Sequence, residues 1–213
     1  RASSDADLNL QCSVLVAVSD IAEVMLVGHS SSNDDFCYAM PGTKVRKLHT
    51  SRRDAFKIVN GKPIAKVFRD RIEILSDYNK RGKSKVKSDI KFNEKVALIK
   101  FYPGQDPGIL DYYFKNKYKG IVLEVLGLGH VSVKSRNSWI RKIKELTKKG
   151  MIVCATPQTI YGRLDPYVYS NGRELLDAGV IFLEDMLSET ALVKLGWVLG
   201  HKNWNIKEKM MEK

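Results

Sequence analysis

Disulfide chemistry has little to work with in this chain. Its three cysteines, Cys12, Cys37 and Cys154, are far apart, odd in number and free of any Cys-x-x-Cys spacing. That pattern argues against a disulfide framework or a zinc site and fits a reducing cytoplasm. No apolar run reaches the roughly 20 residues of a membrane span. A Gly-rich phosphate loop, a His-Glu-x-x-His pair and a Gly-x-Ser-x-Gly elbow are all missing. The four histidines, at 29, 49, 130 and 201, show no metal-ligand spacing. The chain opens on Arg1-Ala2-Ser3-Ser4-Asp5, without an initiator Met and without the basic and apolar regions of a signal peptide. It is therefore expected to begin partway through a larger protein. No internal repeat is visible.

What is present is globular: 213 residues, 44% hydrophobic and 28% charged, enough for one large domain or two small ones. Lys and Arg number 36 against 24 Asp and Glu, for a net charge of +12. Such an excess attracts polyanions, RNA among them, but does not specify a partner.

Local patterns divide the chain in two. Ser4, with Asp7 three residues on, resembles a capping box, and apolar residues then recur at helical spacing from Asp7 to about Ser19. Short apolar runs at 24–27, 36–40 and 64–68 read as strands, each near Gly or Pro. Residues 80–91 contain six bases, one acid and almost no apolar side chain. They read as an exposed linker and domain boundary. Beyond it, predominantly apolar strands at 96–101, 120–126 and 151–154 alternate with helices at 109–114, 137–149, 172–178 and 188–199. That alternation predicts a parallel sheet covered on both faces.

In open parallel sheets, ligands bind beyond the carboxyl ends of the strands. Two loops lie at such ends here, Gly127-Leu128-Gly129-His130 and Thr156-Pro157-Gln158-Thr159. Upstream, Lys44-Val45-Arg46-Lys47-Leu48-His49-Thr50-Ser51-Arg52-Arg53-Asp54-Ala55-Phe56 packs bases, hydroxyls and an acid behind a Pro-Gly turn. A lysine made neutral by burial or by neighbouring cations can take a proton from a hydroxyl nucleophile. Composition alone favours the plainer reading of this stretch, a charged surface loop.

The order of these motifs resembles the asparaginase/glutaminase family of amidohydrolases. Ser4-Asp5-Ala6-Asp7-Leu8-Asn9-Leu10 is similar to the start of a helix in asparaginases. The Lys44–Phe56 stretch is similar to the segment carrying the family's catalytic lysine, and Lys47 takes that position. Gly120-Ile121-Val122-Leu123-Glu124-Val125-Leu126-Gly127-Leu128-Gly129-His130 resembles the family's strand and loop. Gln158-Thr159-Ile160-Tyr161-Gly162-Arg163, Tyr169-Ser170-Asn171-Gly172-Arg173-Glu174 and Gly179 through Lys194 follow in order. Tyr161-Gly162-Arg163, Arg52-Arg53-Asp54-Ala55-Phe56 and His130 lean toward the glutaminase (D-type) subunits of archaeal glutamyl-tRNA(Gln) amidotransferase.

The resemblance implies an α/β fold. Residues 1–79 would be the rear of the N-terminal domain, with part of a Rossmann-like parallel sheet, and residues 92–213 a smaller α/β C-terminal domain. It implies Lys47 as catalytic residue, and Asp5, His130, Gln158 and Tyr161 as walls of the substrate site. In the family, a Thr attacks the side-chain amide of glutamine or asparagine, assisted by a second Thr, an Asp and the Lys. The Thr-Gly-Gly-Thr and His-Gly-Thr-Asp motifs that supply these partners are not found here, so the isolated chain is expected to be inactive. No metal and no cofactor is expected on it; ATP and Mg would serve a partner subunit. Implied partners are the missing N-terminal half, a homodimer mate, the amidotransferase's E-type subunit and, indirectly, tRNA(Gln), with no membrane. Val125-Leu126 in place of Gly-Thr and Asp165-Pro166 in place of Val-Asn-Met bear on substrate fit. The alternatives are a type I L-asparaginase fragment and an inactive partner-binding fragment.

Overall fold

A computed structural model describes residues 4–83, 85–133 and 137–212. Arg1, Ala2 and Ser3 of the opening stretch, and Ser84 of the basic linker, lie outside the described residues. The chain divides into two compact units, residues 1–87 and 88–213.

In the first unit, helix α1 (Ala6–Val18) buries Leu8, Cys12 and Val16 at helical spacing. Its beginning differs from the expected capping box. Asp5 is the N-cap residue without a side-chain cap bond, and the Ser4 hydroxyl accepts from Ala6 N at 3.2 Å. Strands β1 (Met25–His29), β2 (Cys37–Pro41), β5 (Ala65–Val67) and β6 (Ile72–Ile74) form one sheet in the order β1-β2-β5-β6. Between β2 and β5 the chain makes a separate hairpin from β3 (Val45–Lys47) and β4 (Phe56–Ile58). Leu8, Cys12 and Val16 of α1 share a core cluster with Cys37, Ala39, Ala65 and Val67 of the sheet.

The α/β class holds, and the described strands of this unit form a four-stranded sheet and a separate hairpin. Every pairing among them is antiparallel. For β1 and β2 the physical reason is connection length. Residues 30–36 join β1 to β2, whereas a parallel pair needs a crossover of about a dozen residues or more.

The second unit carries the expected parallel sheet. Strands β7 (Val96–Lys100), β8 (Gly120–Val125), β9 (Ile152–Pro157) and β10 (Ile181–Phe182) pair in the order β10-β9-β8-β7, all parallel. Every residue of β8 is buried, as a central strand covered on both sides requires. One face packs Ile121, Leu123 and Val125 against Trp139, Ile143 and Leu146 of α3 (Trp139–Lys148) and Leu175 of α4 (Ser170–Asp177). The other packs Val122 and Cys154 against Ala191, Leu195 and Val198 of α5 (Ser188–Leu199) and Met210 of α6 (Ile206–Met211). Helix α2 (Gly108–Lys115) completes the set. Ser138 caps α3 through Arg141 N, and Gly150 follows that helix at φ +89°, where a side chain would be strained. Five of the described elements, β3, β4, β6, β10 and α6, had no expected counterpart; each has six residues or fewer.

Candidate active site

Lys47 is the last residue of β3, opposite Phe56 of β4, and its ammonium lies 5.7 Å from the Phe56 ring centroid. The side chain is exposed. Beyond it the chain turns back through residues 48–55, closed by Leu48 N donating to Ala55 O at 2.7 Å. Two side chains shape this turn. His49 Nδ1 accepts from the backbone of Ser51 at 3.1 Å and of Arg52 at 3.0 Å. Asp54 is buried and gathers the local cations. Arg52 donates to it through Nε at 2.9 Å and Nη2 at 2.8 Å, and Lys57 Nζ lies 2.7 Å from it. Hydrogen bonding from Lys57 first, then from Arg52, holds the Asp54 carboxyl below the usual carboxylate range despite its burial.

Two of the cations close to Lys47 in sequence are paired with carboxylates. Arg52 is bound to Asp54, and Arg53 Nη1 donates to Asp34 Oδ1 at 3.0 Å. Asp5, at the start of α1, is exposed and accepts weakly from Asn9 Nδ2 at 3.4 Å.

In the second unit, the loops expected at the sheet's carboxyl end are there. Leu126 and His130 bridge a tight turn, with His130 N donating to Leu126 O at 2.8 Å and Leu126 N to His130 O at 3.0 Å. Gly129 sits at φ +131°, and a Cβ there would come 2.5 Å from Phe182 Cε1. Glycine is required by backbone and neighbour alike. The half-buried His130 ring meets Tyr169 edge-on at 5.0 Å between centroids. Asp165 N donates to Leu128 O at 3.0 Å, joining this turn to the 158–169 loop. That loop also presses on α4, since a Cβ on Gly172 would lie 2.5 Å from Pro166 O.

Gln158 uses its amide as a staple. Nε2 donates to Glu124 O at 3.0 Å and, by a short bond, to Phe101 O. It thus ties the ends of β7 and β8 to the start of its own loop. Tyr161 is 64% exposed, its ring available to a ligand or a partner. A groove of about 490 Å³ opens beside this loop, with Arg163, Tyr167, Glu184 and Lys207 among its lining residues. Lys47 and Asp5 thus belong to the first unit, and His130, Gln158 and Tyr161 to the second, where Gln158 and His130 flank the carboxyl end of β8.

Three polar arrangements were not anticipated. Asp54 stood two residues after one Arg and three before a Lys, a local signal that was readable. His29 is buried with partners 20 and 5 positions away, which no local pattern betrays. Glu124 of β8 accepts from Ser188 Oγ of α5 at 2.6 Å, both side chains being buried, across 64 positions. Among the described residues, no cluster of His, Cys, Asp and Glu suits a metal ion, and no helix is long and apolar enough to cross a membrane.

This α/β architecture has a lineage. Two family models match in series: Asparaginase, N-terminal, over residues 1–80, and the Glutaminase/Asparaginase C-terminal domain over residues 95–211. The chain belongs to the glutaminase/asparaginase family. It is 54% identical over 203 residues to the D-type subunit of glutamyl-tRNA(Gln) amidotransferase from Thermococcus kodakarensis, covering 94% of this chain and 45% of that protein. The corresponding protein of Archaeoglobus fulgidus is 45% identical over 210 residues, covering 98% and 49%. The chain spans about half the length of the curated relatives it matches. Among solved structures, the thermostable L-asparaginase of Thermococcus kodakarensis superposes with a TM-score of 0.85 at 29% identity, covering 99% of this chain and 61% of that one. L-asparaginase I of Vibrio cholerae shares the fold, with a TM-score of 0.80 at 24% identity over 99% of this chain and 63% of that one.

Proposed function

We propose that these residues carry the lysine base and the C-terminal domain of an ammonia-supplying glutaminase, the D-type subunit of an amidotransferase that converts Glu-tRNA(Gln) to Gln-tRNA(Gln). The observation that carries this reading is Lys47 at the end of β3, followed by a hydroxyl- and arginine-rich turn clamped by the buried Asp54. It stands in a chain about half identical to such D-type subunits.

In this reading, a threonine from a segment outside these residues attacks the carboxamide carbon of glutamine. Lys47, working with a second Thr and an Asp from that segment, receives the hydroxyl proton. The C–N bond breaks, ammonia leaves with a proton, and water then cleaves the acyl-enzyme ester to release glutamate. Asp5, His130, Gln158 and Tyr161 are assigned to the walls of the substrate site. No cofactor is assigned to these residues, since ATP and Mg belong to the synthetic step on a partner E-type subunit. The partners are the nucleophile-bearing half, a second copy, the E-type subunit and, through it, tRNA(Gln), in the cytoplasm. The domain boundary is assigned to the basic linker at residues 80–91.

The likeness to an L-asparaginase at 29% identity supports a second reading, an asparagine-specific hydrolase. Ammonia release by the complete enzyme separates the two: glutamine preferred over asparagine supports the first, the reverse preference the second. Residues 1–213 alone should release no ammonia. Release abolished by Lys47→Ala in the isolated chain would overturn that part of the reading.

A further inference from the structure

Lys47 ends a three-residue strand whose hairpin mate is equally short, and an isolated ribbon of that size is barely stable in water. Two cations of the hairpin reach the turn between β1 and β2. Arg53 Nη1 donates to Asp34 Oδ1 at 3.0 Å and to Ser32 O at 3.3 Å. Lys57 Nζ donates to Ser30 O at 3.1 Å. That turn has its own anchor in His29, whose side chain is fully buried. His29 Nε2 lies 2.9 Å from Asp34 Oδ1, and Nδ1 lies 2.6 Å from Asn9 Oδ1.

The orientation of Asn9 is set independently of the ring. Its Oδ1 accepts the backbone N–H of His29 at 3.1 Å, and its Nδ2 faces Asp5 Oδ2 at 3.4 Å. So the atom facing Nδ1 is an oxygen, and both ring nitrogens face acceptors. Hydrogen bonding from His29, and after it the charge of Arg53, holds the Asp34 carboxyl below its ordinary range, so Asp34 stays an acceptor for both. The result is an unbroken chain of side chains from α1, through a buried ring, to the segment that follows Lys47.

We propose that Asn9, His29, Asp34 and Arg53 form the positioning device for Lys47. The buried ring fixes the turn at 30–36 as a platform, and Arg53 docks the 48–55 segment onto it. This rests on the reading of Lys47 as the base. A proton acceptor must sit within hydrogen-bond reach of its hydroxyl, and a misplacement of about 1 Å costs on the order of a hundredfold in rate.

Asp34 is the place to cut, because its side chain is 51% exposed and its loss leaves no cavity. In the complete enzyme, Asp34→Ala and Arg53→Ala should each lower kcat about ten- to a hundredfold with KM nearly unchanged. The double variant should be no worse than the weaker single one, because both cut the same tie. Arg53→Lys, which keeps a cation, should recover part of the loss. Arg69→Ala, which removes an exposed pair with Asp7 elsewhere in the first unit, should leave kcat at the wild-type value. Amide exchange over residues 48–55 gives a readout independent of turnover, and Asp34→Ala should speed it about tenfold. Unchanged exchange and unchanged kcat in Asp34→Ala would overturn the device. Lys47→Ala keeps the two ideas separable. If it is silent, the assignment of Lys47 as base fails. If it is inactive while Asp34→Ala and Arg53→Ala are normal, only the positioning device fails.

Discussion

Replacing Asp54 by alanine should cost the first unit about 2–3 kcal/mol. The carboxylate side chain is 4% exposed and takes three charged contacts, at 2.9 and 2.8 Å from Arg52 and 2.7 Å from Lys57. Hydrogen bonds to charged groups are worth about 1.5–3 kcal/mol each. Stripping one partner from a fully buried pair costs about 3–5 kcal/mol. Here the cations left behind are 58% and 40% exposed, so water takes the carboxylate's place on both, and the figure falls below that range. Asp54→Asn keeps the shape and should cost about half as much. Because the Asp54 carboxyl is held below its ordinary range, first by Lys57, the folded protein binds the proton less readily than the unfolded chain. Its stabilisation is therefore complete above the unfolded-chain value of about 3.9 and is lost as pH falls through the folded value. The gap between wild type and Asp54→Asn should stay constant from about pH 7 to 5 and shrink below about pH 4. Trp139, Trp197 and Trp204 all lie in the second unit, so tryptophan emission would miss this change. Amide exchange at the buried strand β2 is the assay. A loss under about 0.5 kcal/mol, the size expected of an exposed pair such as Arg69–Asp7, or a gap unchanged at pH 3, would refute the reasoning.

Two further predictions concern the second unit. Gly129→Ala should destabilise it by about 1–3 kcal/mol, because the added carbon meets Phe182 at 2.5 Å on a backbone at φ +131°; an unshifted Tm would contradict the turn geometry. His130→Phe keeps an aromatic edge toward Tyr169 but removes the ring nitrogens, so it should raise KM or lower kcat in the complete enzyme while leaving Tm within about 2 °C; wild-type kinetics would return His130 to a packing role.

How much was legible follows from where the physics is local. The central strand β8 is buried at every residue because helices cover both its faces, and the apolar runs at 120–126 and 151–154 read directly from composition. Helix α5 falls on the expected residues, 188–199. The first unit was harder. Val45-Arg46-Lys47 and Phe56-Lys57-Ile58 are too short and too charged to show a period of two, so their hairpin read as a loop. The direction of the β1–β2 pairing depends on the short 30–36 connection rather than on either strand's own residues. Lys47 was located by motif order, since neither its burial nor its charge marks it out. The groups that hold its segment were legible only where they are neighbours. Asp54 sits beside its cations, whereas His29 reaches Asn9 across 20 positions, and Glu124 reaches Ser188 across 64.

The central claim, that Lys47 accepts a proton in amide hydrolysis, is tested most directly by ammonia release from glutamine in the complete enzyme carrying Lys47→Arg. Arginine keeps the charge and length but cannot deprotonate. The account predicts near-total loss of activity in Lys47→Arg and in Lys47→Ala alike, with Lys44→Ala nearly silent. Full activity with arginine at position 47 would contradict it and leave Lys47 as an electrostatic support only.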